Sequence, residues 1–309
     1  MISLADGQSI TLIGVSASSL TGANFVFDQT PQMANSGTIT ITIGDGALLP
    51  VSGTIDNLGT ISIGSVGAAT VLQLIQYGVT LQGGGQVTLS DNDANVISAT
   101  LPGVSLNNVD NAISGAGQIG NGSLTLINGG SIVANGSHAL VIDTGSNTIF
   151  NSGTIAATAS GGLELASGLN NQGSILVSAS HALLSGNVSG SGEVLLTGHA
   201  SVEFGAAASS DIVLGASATA LITFDDSIDF SGTITGFDSD DQVQLQDILF
   251  GSSTSLFWAV KEDGSGGVLT VSDGEHQSVI EFHGNYDASL FTIDSNGHGG
   301  TQVTYGDWF

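Results

Sequence analysis

Clustered carboxylates are the residues of this chain that are best suited to chemistry. The stretch FDSDDQVQLQD at 237–247 places Asp238, Asp240, Asp241 and Asp247 within ten positions. Carboxylate oxygens are preferred ligands of Ca²⁺, and a bound cation would relieve repulsion in a chain with 27 acidic residues and a formal charge of -26. The sequence therefore predicts a calcium site formed by these four aspartates. The alternative interpretation is that they are solvated acids in turns.

Another acidic stretch, DNDAN at 91–95, has the spacing of acids and amides that begins an EF-hand loop. That loop also requires a glycine at its sixth position and a glutamate at its twelfth, where this chain has Val96 and Pro102. The glycine-rich nonapeptide of calcium-binding β-rolls is absent from the sequence as well. Calcium is therefore not expected through either of these motifs.

Acid catalysis is a second use for clustered carboxylates. Hydrolysis of a glycosidic bond needs two carboxyl groups held ~5 to 9 Å apart. Such a pair could come from Asp225, Asp226 and Asp229, or from Asp238, Asp240 and Asp241. They lie beside turn residues, however, and no basic side chain is near them in the sequence. A lyase acting on uronates would need a cation, and Lys261 is the only Lys or Arg in the chain. The sequence therefore predicts that the protein is not an enzyme.

Charge and composition exclude several classes of partner. Nucleic acids and anionic lipids are bound by clusters of Lys and Arg, and a chain with one such residue is expected to bind neither. Membrane insertion is not expected either, because the sequence has no run of about 18 apolar residues. Solubility depends on Ser, Thr, Asn, Gln and Gly, since only 9% of the residues are charged. Together with the absence of cysteine, this composition favours a protein that works outside the cell.

The acids must be positioned by a phrase that recurs along the middle of the chain. It occurs as NSGTITITI at 35–43, NSGTIAAT at 151–158 and NQGSILVS at 171–178, and its leading glycines at 130, 153, 173 and 192 are 23, 20 and 19 positions apart. Apolar residues at every second position predict strands, and a repeat of about 20 residues predicts stacked coils. The predicted fold is all-β, a parallel β-helix (β-solenoid). We expect Asn151, Asn171 and their equivalents to form a ladder with one amide in each coil.

Changes of composition divide the chain into three regions. Residues 1–34 contain the strand-like segments SITLIGV and NFVFDQT without the repeat, and they are predicted to form an N-terminal β cap. Residues 35–223 are the predicted parallel β-helix repeats. Residues 224–309 are richer in acids and aromatic residues, and they are predicted to form a C-terminal β module from the strands LFWAV, GVLTV, SVIEFH, LFTI and TQVTY.

The C-terminal region resembles a known group of modules. The phrases GTITGFDSDDQVQLQDILF and GGVLTVSDGEHQSVIEFHGNYDASLFTIDSNGHGGTQV, between 232 and 303, are similar to the C-terminal module of large repetitive proteins that Gram-negative bacteria, especially alphaproteobacteria, export by type I secretion. In that family such phrases close the β-solenoid of a haemolysin- or autotransporter-like adhesin. The N-terminal LADGQSITLIGVSASSLTGANFVFDQT and the NSGTI array are similar to it as well. The resemblance implies an extracellular or cell-surface location and supplies no reaction.

The sequence thus predicts a secreted, acidic, non-catalytic β-solenoid module of a large bacterial surface or matrix protein. Its role would be structural and adhesive, and its surface glycan or host receptor is not specified by the sequence. Residues 284–294, GNYDASLFTID, echo 14–28, GVSASSLTGANFVFD, which favours tandem modules or homo-oligomers that associate end to end. The alternative is a β-helix that binds or cleaves carbohydrate.

Overall fold

The computed structural model describes residues 2–3, 9–10, 32–35 and 40–306. The chain divides into two units, Met1–Pro31 and Gln32–Phe309. In the first unit, Ile2–Ser3 pairs with Ser9–Ile10 in antiparallel orientation. The rest of the predicted N-terminal cap, apart from residues 32–34, lies outside the described residues.

Strands of the second unit form because apolar side chains alternate with small polar ones. In Thr60–Gly64, Ile61 and Ile63 are buried while Thr60 and Ser62 are directed outward and partly exposed. One such strand leaves a row of aliphatic side chains uncovered, and the next coil covers it by pairing in parallel. About ten coils stack in this way, which confirms the predicted all-β parallel β-helix.

Three columns of strands make up the second unit, and each coil as far as Phe230 contributes one strand or bridge to each column. The first column is a 13-stranded sheet. It contains, in spatial order, Thr40–Gly44, Thr60–Gly64, Gln86–Leu89, Ala112–Gly115, Ser131–Ala134, Thr154–Ala157, Ser174–Ser178, Glu193–Thr197, Asp211–Leu214, Thr233–Thr235, Gln277–His283, Gly266–Ser272 and Ser255–Val260.

The other two columns belong to one 18-stranded sheet, because the long strands Leu48–Asn57 and Thr70–Gln82 bend round a corner and contribute to both. The second column continues with Asn95–Ala99, Gly117–Gly120, Leu140–Ile142, Leu163–Leu165, His181–Leu184, His199–Phe204, Thr219–Phe224, Gln242–Leu249, Gly300–Tyr305 and Phe291–Ser295. The third column contains Gln32–Asn35, the ends of the two long strands, Val104–Asn108, Leu124–Asn128, Ile149–Asn151, Leu169–Asn171 and Val188–Ser189, followed by bridges at Ala208 and Phe230.

Coil length varies while the strand register is kept. In the first column Glu193 pairs with Asp211, 18 positions on, whereas Thr60 pairs with Gln86, 26 positions on. Much of the difference lies in the corners: five residues, 90–94, separate Gln86–Leu89 from Asn95–Ala99, whereas one residue separates Ala112–Gly115 from Gly117–Gly120 in the next, shorter coil. The stack therefore tolerates unequal coils because only the strands must match.

The core changes in character towards its C-terminal end. Aliphatic residues fill the earlier coils, with Ile113, Ile132 and Ile155 fully buried. Later coils insert aromatic rings, and Phe204 stacks on Phe224 with ring centroids 5.3 Å apart. The rings belong to the same continuous hydrophobic cluster as the aliphatic residues.

Antiparallel strands close the stack at the C-terminal end. Gln277–His283 still pairs in parallel with Thr233–Thr235, so coil stacking continues beyond residue 223. Gly266–Ser272 and Ser255–Val260 then add to the first column in antiparallel orientation, and Gly300–Tyr305 pairs antiparallel with Gln242–Leu249. The region 224–309 therefore supplies both the last coils and their antiparallel closure.

The described residues contain one short 3₁₀ turn, Ala288–Leu290, and no α-helix. Within them, no helix is long and apolar enough to cross a membrane.

Candidate functional site

Three of the four predicted calcium ligands lie together. Asp238, Asp240 and Asp241 occupy the turn between Thr233–Thr235 and Gln242–Leu249, and one carboxylate oxygen from each lies within 4.8 Å of the others. The short turn brings them together because its backbone folds back on itself, as the hydrogen bond from Asp241 N to Asp238 O shows. This cluster is called the aspartate triad below.

The three carboxylates of the triad have different environments. Asp241 is buried, and its two oxygens accept hydrogen bonds from Ala220 N at 2.8 Å and Asp238 N at 2.9 Å. Burial raises the pKa of Asp241 to about 6. A hydrogen bond between the carboxyl groups raises the pKa of Asp238 and lowers that of Asp240, which also accepts from Thr219 Oγ1 at 3.0 Å. The triad therefore holds a proton more readily than ordinary surface acids do.

Asp247 lies apart from the triad, at the other end of the strand Gln242–Leu249. Six residues of extended chain span about 20 Å, so closeness in sequence does not bring Asp247 to the triad. Its carboxylate accepts instead from Ser227 N at 2.8 Å, Ser227 Oγ at 2.7 Å and Ile228 N at 3.1 Å, in the preceding coil. This carboxylate holds two coils together at their corners.

The triad could bind a cation through its exposed pair of carboxylates. Asp238 and Asp240 are exposed and offer hard oxygen atoms of the kind that Ca²⁺ prefers. A divalent ion between them would take the place of the proton in their carboxyl–carboxyl hydrogen bond. Asp241 is less available, because both of its oxygens already accept from backbone N–H groups.

Other aspartates have a role that the sequence analysis missed, since they accept from backbone N–H groups at the corners of neighbouring coils. Asp45 accepts from Val66 N at 2.8 Å and Ala68 N at 3.0 Å, one coil further on. Asp211 accepts from both N and Oγ1 of Thr233. Corner N–H groups have no ladder partner, so a carboxylate satisfies a donor that would otherwise need water. The sequence places these acids at turns, but it does not identify their hydrogen-bond partners, because these depend on which corners stack on one another.

The stretch DNDAN shows the same use of polar side chains. Asp91 accepts from Ser137 Oγ at 2.6 Å and His138 N at 2.9 Å, 46 and 47 positions away in sequence. These hydrogen bonds lower the pKa of Asp91 well below its usual range. Asn95 lies in the interior, where it accepts from Ser65 N and donates to Ser90 O. Side chains of this stretch thus connect corners of several coils.

An internal asparagine ladder runs along the corner after the third column. Asn108 Nδ2 donates to Asn128 Oδ1 at 2.8 Å, Asn128 Nδ2 to Asn151 Oδ1 at 2.8 Å, and Asn151 Nδ2 to Asn171 Oδ1 at 2.7 Å. All four side chains are buried. Asn128 and Asn151 therefore each accept from one neighbouring coil and donate to the other, which confirms the predicted ladder.

Aromatic residues of the coils differ in their exposure. Phe204 is fully buried, whereas the side chains of Tyr77 and Phe150 are 66% and 47% exposed. Phe150 lies on the outer side of the third column, beside Ile127 and Asn170 in the paired strands. Sequence patterning could not separate these three residues, because a period of two does not say which face of a strand is buried.

Lys261, the one cation that a lyase could use, lies in the antiparallel closure. Its Nζ donates to Glu281 Oε1, and Glu281 also contacts the His283 ring. The amine is therefore paired and lies outside the repeats at 35–223.

No known family model matches this chain, and no curated protein is similar to it.

Proposed function

We propose that this protein is a non-catalytic structural and adhesive module of a large extracellular or surface-bound bacterial protein. The observation that carries the proposal is the stack of coils, whose three columns bond each coil to the ones before and after it. Strands of this kind resist proteolysis and force because a coil can open only if it loses hydrogen bonds on two sides. Such a structure separates and presents surfaces, which is the function of a scaffold.

Side-chain contacts inside the corners support a structural role. The asparagine ladder replaces water with amide partners along four coils. Carboxylates such as Asp211 and Asp247 connect further corners. Many of the polar groups thus serve the stability of the stack, and the outward side chains remain for surface contact.

Location and export are proposed on composition and resemblance. A chain with a formal charge of -26, no cysteine and a surface dominated by small polar residues is suited to the outside of a cell. Its terminal phrases resemble those of type I-secreted adhesins, as described above. We propose export by the same kind of route.

Association between units is proposed at the closed end of the stack. The strand Ser255–Val260 is an edge of the 13-stranded sheet and contains no charged residue or proline. Phe257 and Val260 on it are 65% and 67% exposed. Exposed edge strands pair readily with another strand, so a second copy of the chain would add here. Sedimentation of F257K, which places a charge on the edge, should show less association than the parent protein.

Surface labelling tests the proposed location and role together. An antibody against residues 40–306 should label intact cells that express the native gene, and treatment of those cells with proteinase K should leave the coils uncleaved. Labelling only after lysis would refute an extracellular role. Rapid cleavage inside the coils of the purified protein would refute the scaffold role, because the stacked strands would then open too easily.

A further inference from the structure

One side of the solenoid carries a groove with an exposed aromatic ring. Phe150 is 47% exposed and lies between Ile127 and Asn170 in the paired strands of the third column. Together with Ser152 and Gln172 they line a groove of about 200 Å³. An aromatic ring that is exposed between two neighbouring strands offers a stacking surface for a flat apolar face of a ligand.

Ordered amides lie beside this ring. Gln172 Nε2 donates to Asn170 Oδ1 at 2.8 Å, and Gln172 Oε1 accepts from Ser191 Oγ at 2.9 Å. The Gln172 side chain is exposed, yet it is held by one partner in the preceding strand, Asn170, and one in the next coil, Ser191. The Gln172 amide and the Ser191 hydroxyl can form hydrogen bonds to a polyhydroxylated ligand with little further loss of side-chain freedom.

The groove continues along the corner between the third and first columns. A second depression of about 470 Å³ shares Ser152 and Gln172 with the first, and it extends past Ser174 to Ser191 and Glu193. Glycines form its floor: a Cβ at Gly153 or Gly173 would lie 2.0 or 2.1 Å from a carbonyl oxygen of the preceding coil. The floor therefore has no side chains, and hydroxyl and amide groups recur on its sides at the ~4.8 Å spacing of strands.

Charge decides what kind of ligand suits the groove. The chain has 27 acidic residues and one basic residue, and that lysine is bonded to Glu281 in the antiparallel closure. Glu193 adds a carboxylate at one end of the groove. Uronates and sulfated sugars would be repelled, while neutral sugars offer hydroxyls and an apolar ring face without that cost.

We propose that the groove formed by Phe150, Asn170 and Gln172 binds a neutral, linear polysaccharide that lies along the stacking direction. One sugar ring stacks on Phe150, and the following sugars meet the hydroxyl and amide groups of successive coils, whose spacing is close to the length of one pyranose unit. The inference deepens the proposed function, on which it rests, by naming the class of ligand for surface adhesion.

Affinity electrophoresis tests the groove. The purified chain is run in native gels that contain hydroxyethylcellulose, xyloglucan, a soluble β-1,3-glucan or a soluble mannan, with polygalacturonate as the anionic comparison. At least one neutral polymer should retard the parent protein, and polygalacturonate should not. F150A should weaken retardation about tenfold in dissociation constant, and Q172A should weaken it by a smaller factor.

Tyr77→Ala is the matched control, because Tyr77 is another exposed aromatic residue of the coils. Y77A should bind as the parent does, and circular dichroism should show that all three variants keep their strands. The inference is overturned if no neutral polymer retards the protein, if F150A and Y77A behave alike, or if polygalacturonate binds as well as the neutral polymers. Those outcomes would leave the scaffold proposal intact, since surface labelling and proteolysis test it separately.

Discussion

Removal of one amide from the asparagine ladder tests whether the ladder stabilises the stack. In N151A, Asn171 Oδ1 loses the donor at 2.7 Å and Asn128 Nδ2 loses the acceptor at 2.8 Å, both in a buried corner. A buried group left without its partner costs about 1–3 kcal/mol. Asn128 Nδ2 keeps weaker contacts to Gly130 O at 3.3 Å and Thr154 O at 3.2 Å. We therefore expect a loss of about 2–4 kcal/mol in the free energy of unfolding for the affected coils.

Urea titration followed by circular dichroism, together with hydrogen exchange of individual segments, measures this loss. Because each coil contacts only its neighbours, the loss should be local, and amide protection around residues 128–171 should fall by about a hundredfold. Asn187→Ala is the matched control, since Asn187 is an exposed corner residue whose side chain has no hydrogen bond among the described residues. If N151A and N187A unfold at the same urea concentration with equal exchange rates, the ladder does not stabilise the stack.

Three further outcomes are expected. D247A should lower the free energy of unfolding by about 2–3 kcal/mol, because the buried Ser227 loses both of its hydrogen bonds to the carboxylate. D229A removes an exposed acid and should change little in the same urea titration. Stability should be greatest near pH 4–5, because the raised folded-state pKa of Asp241, about 6, makes the protein more stable as pH falls from above 6 towards 4. Acids with a lowered pKa, such as Asp91, make stability fall again below about pH 4. A melting temperature that rises steadily from pH 4 to 8 would contradict this prediction. If the aspartate triad binds Ca²⁺, millimolar Ca²⁺ should raise the melting temperature of the parent protein relative to EDTA at pH 7.5 and should not raise that of D240N. Equal melting temperatures of the parent protein in the two buffers would contradict calcium binding.

The fold was readable from the sequence because the physical cause of each strand is local. Alternation of Ile61 and Ile63 with small polar residues specifies a strand with one buried side, and glycine-led corners repeat at about the length of a coil. The asparagine ladder was readable for the same reason, since Asn151 and Asn171 end equivalent strands.

The candidate sites were less predictable, because they depend on which corners stack. Asp91 bonds to His138, 47 positions away, across coils of unequal length. Asp247 was grouped with the triad by its position in sequence, while an extended strand separates them and its partners are in the preceding coil. Gln172 is ordered by Ser191, 19 positions on, so the orientation of its side chain depends on the stacking of the two coils.

Unequal coils in constant register have a practical consequence. The turn at 100–103 lies outside the strands, and Leu101 there is 63% exposed. A foreign peptide grafted at this turn should be displayed at a fixed height on the solenoid, because the flanking strands Asn95–Ala99 and Val104–Asn108 are each held by pairing with the next coil. The molecule can thus acquire new epitopes one corner at a time without redesign of its interior.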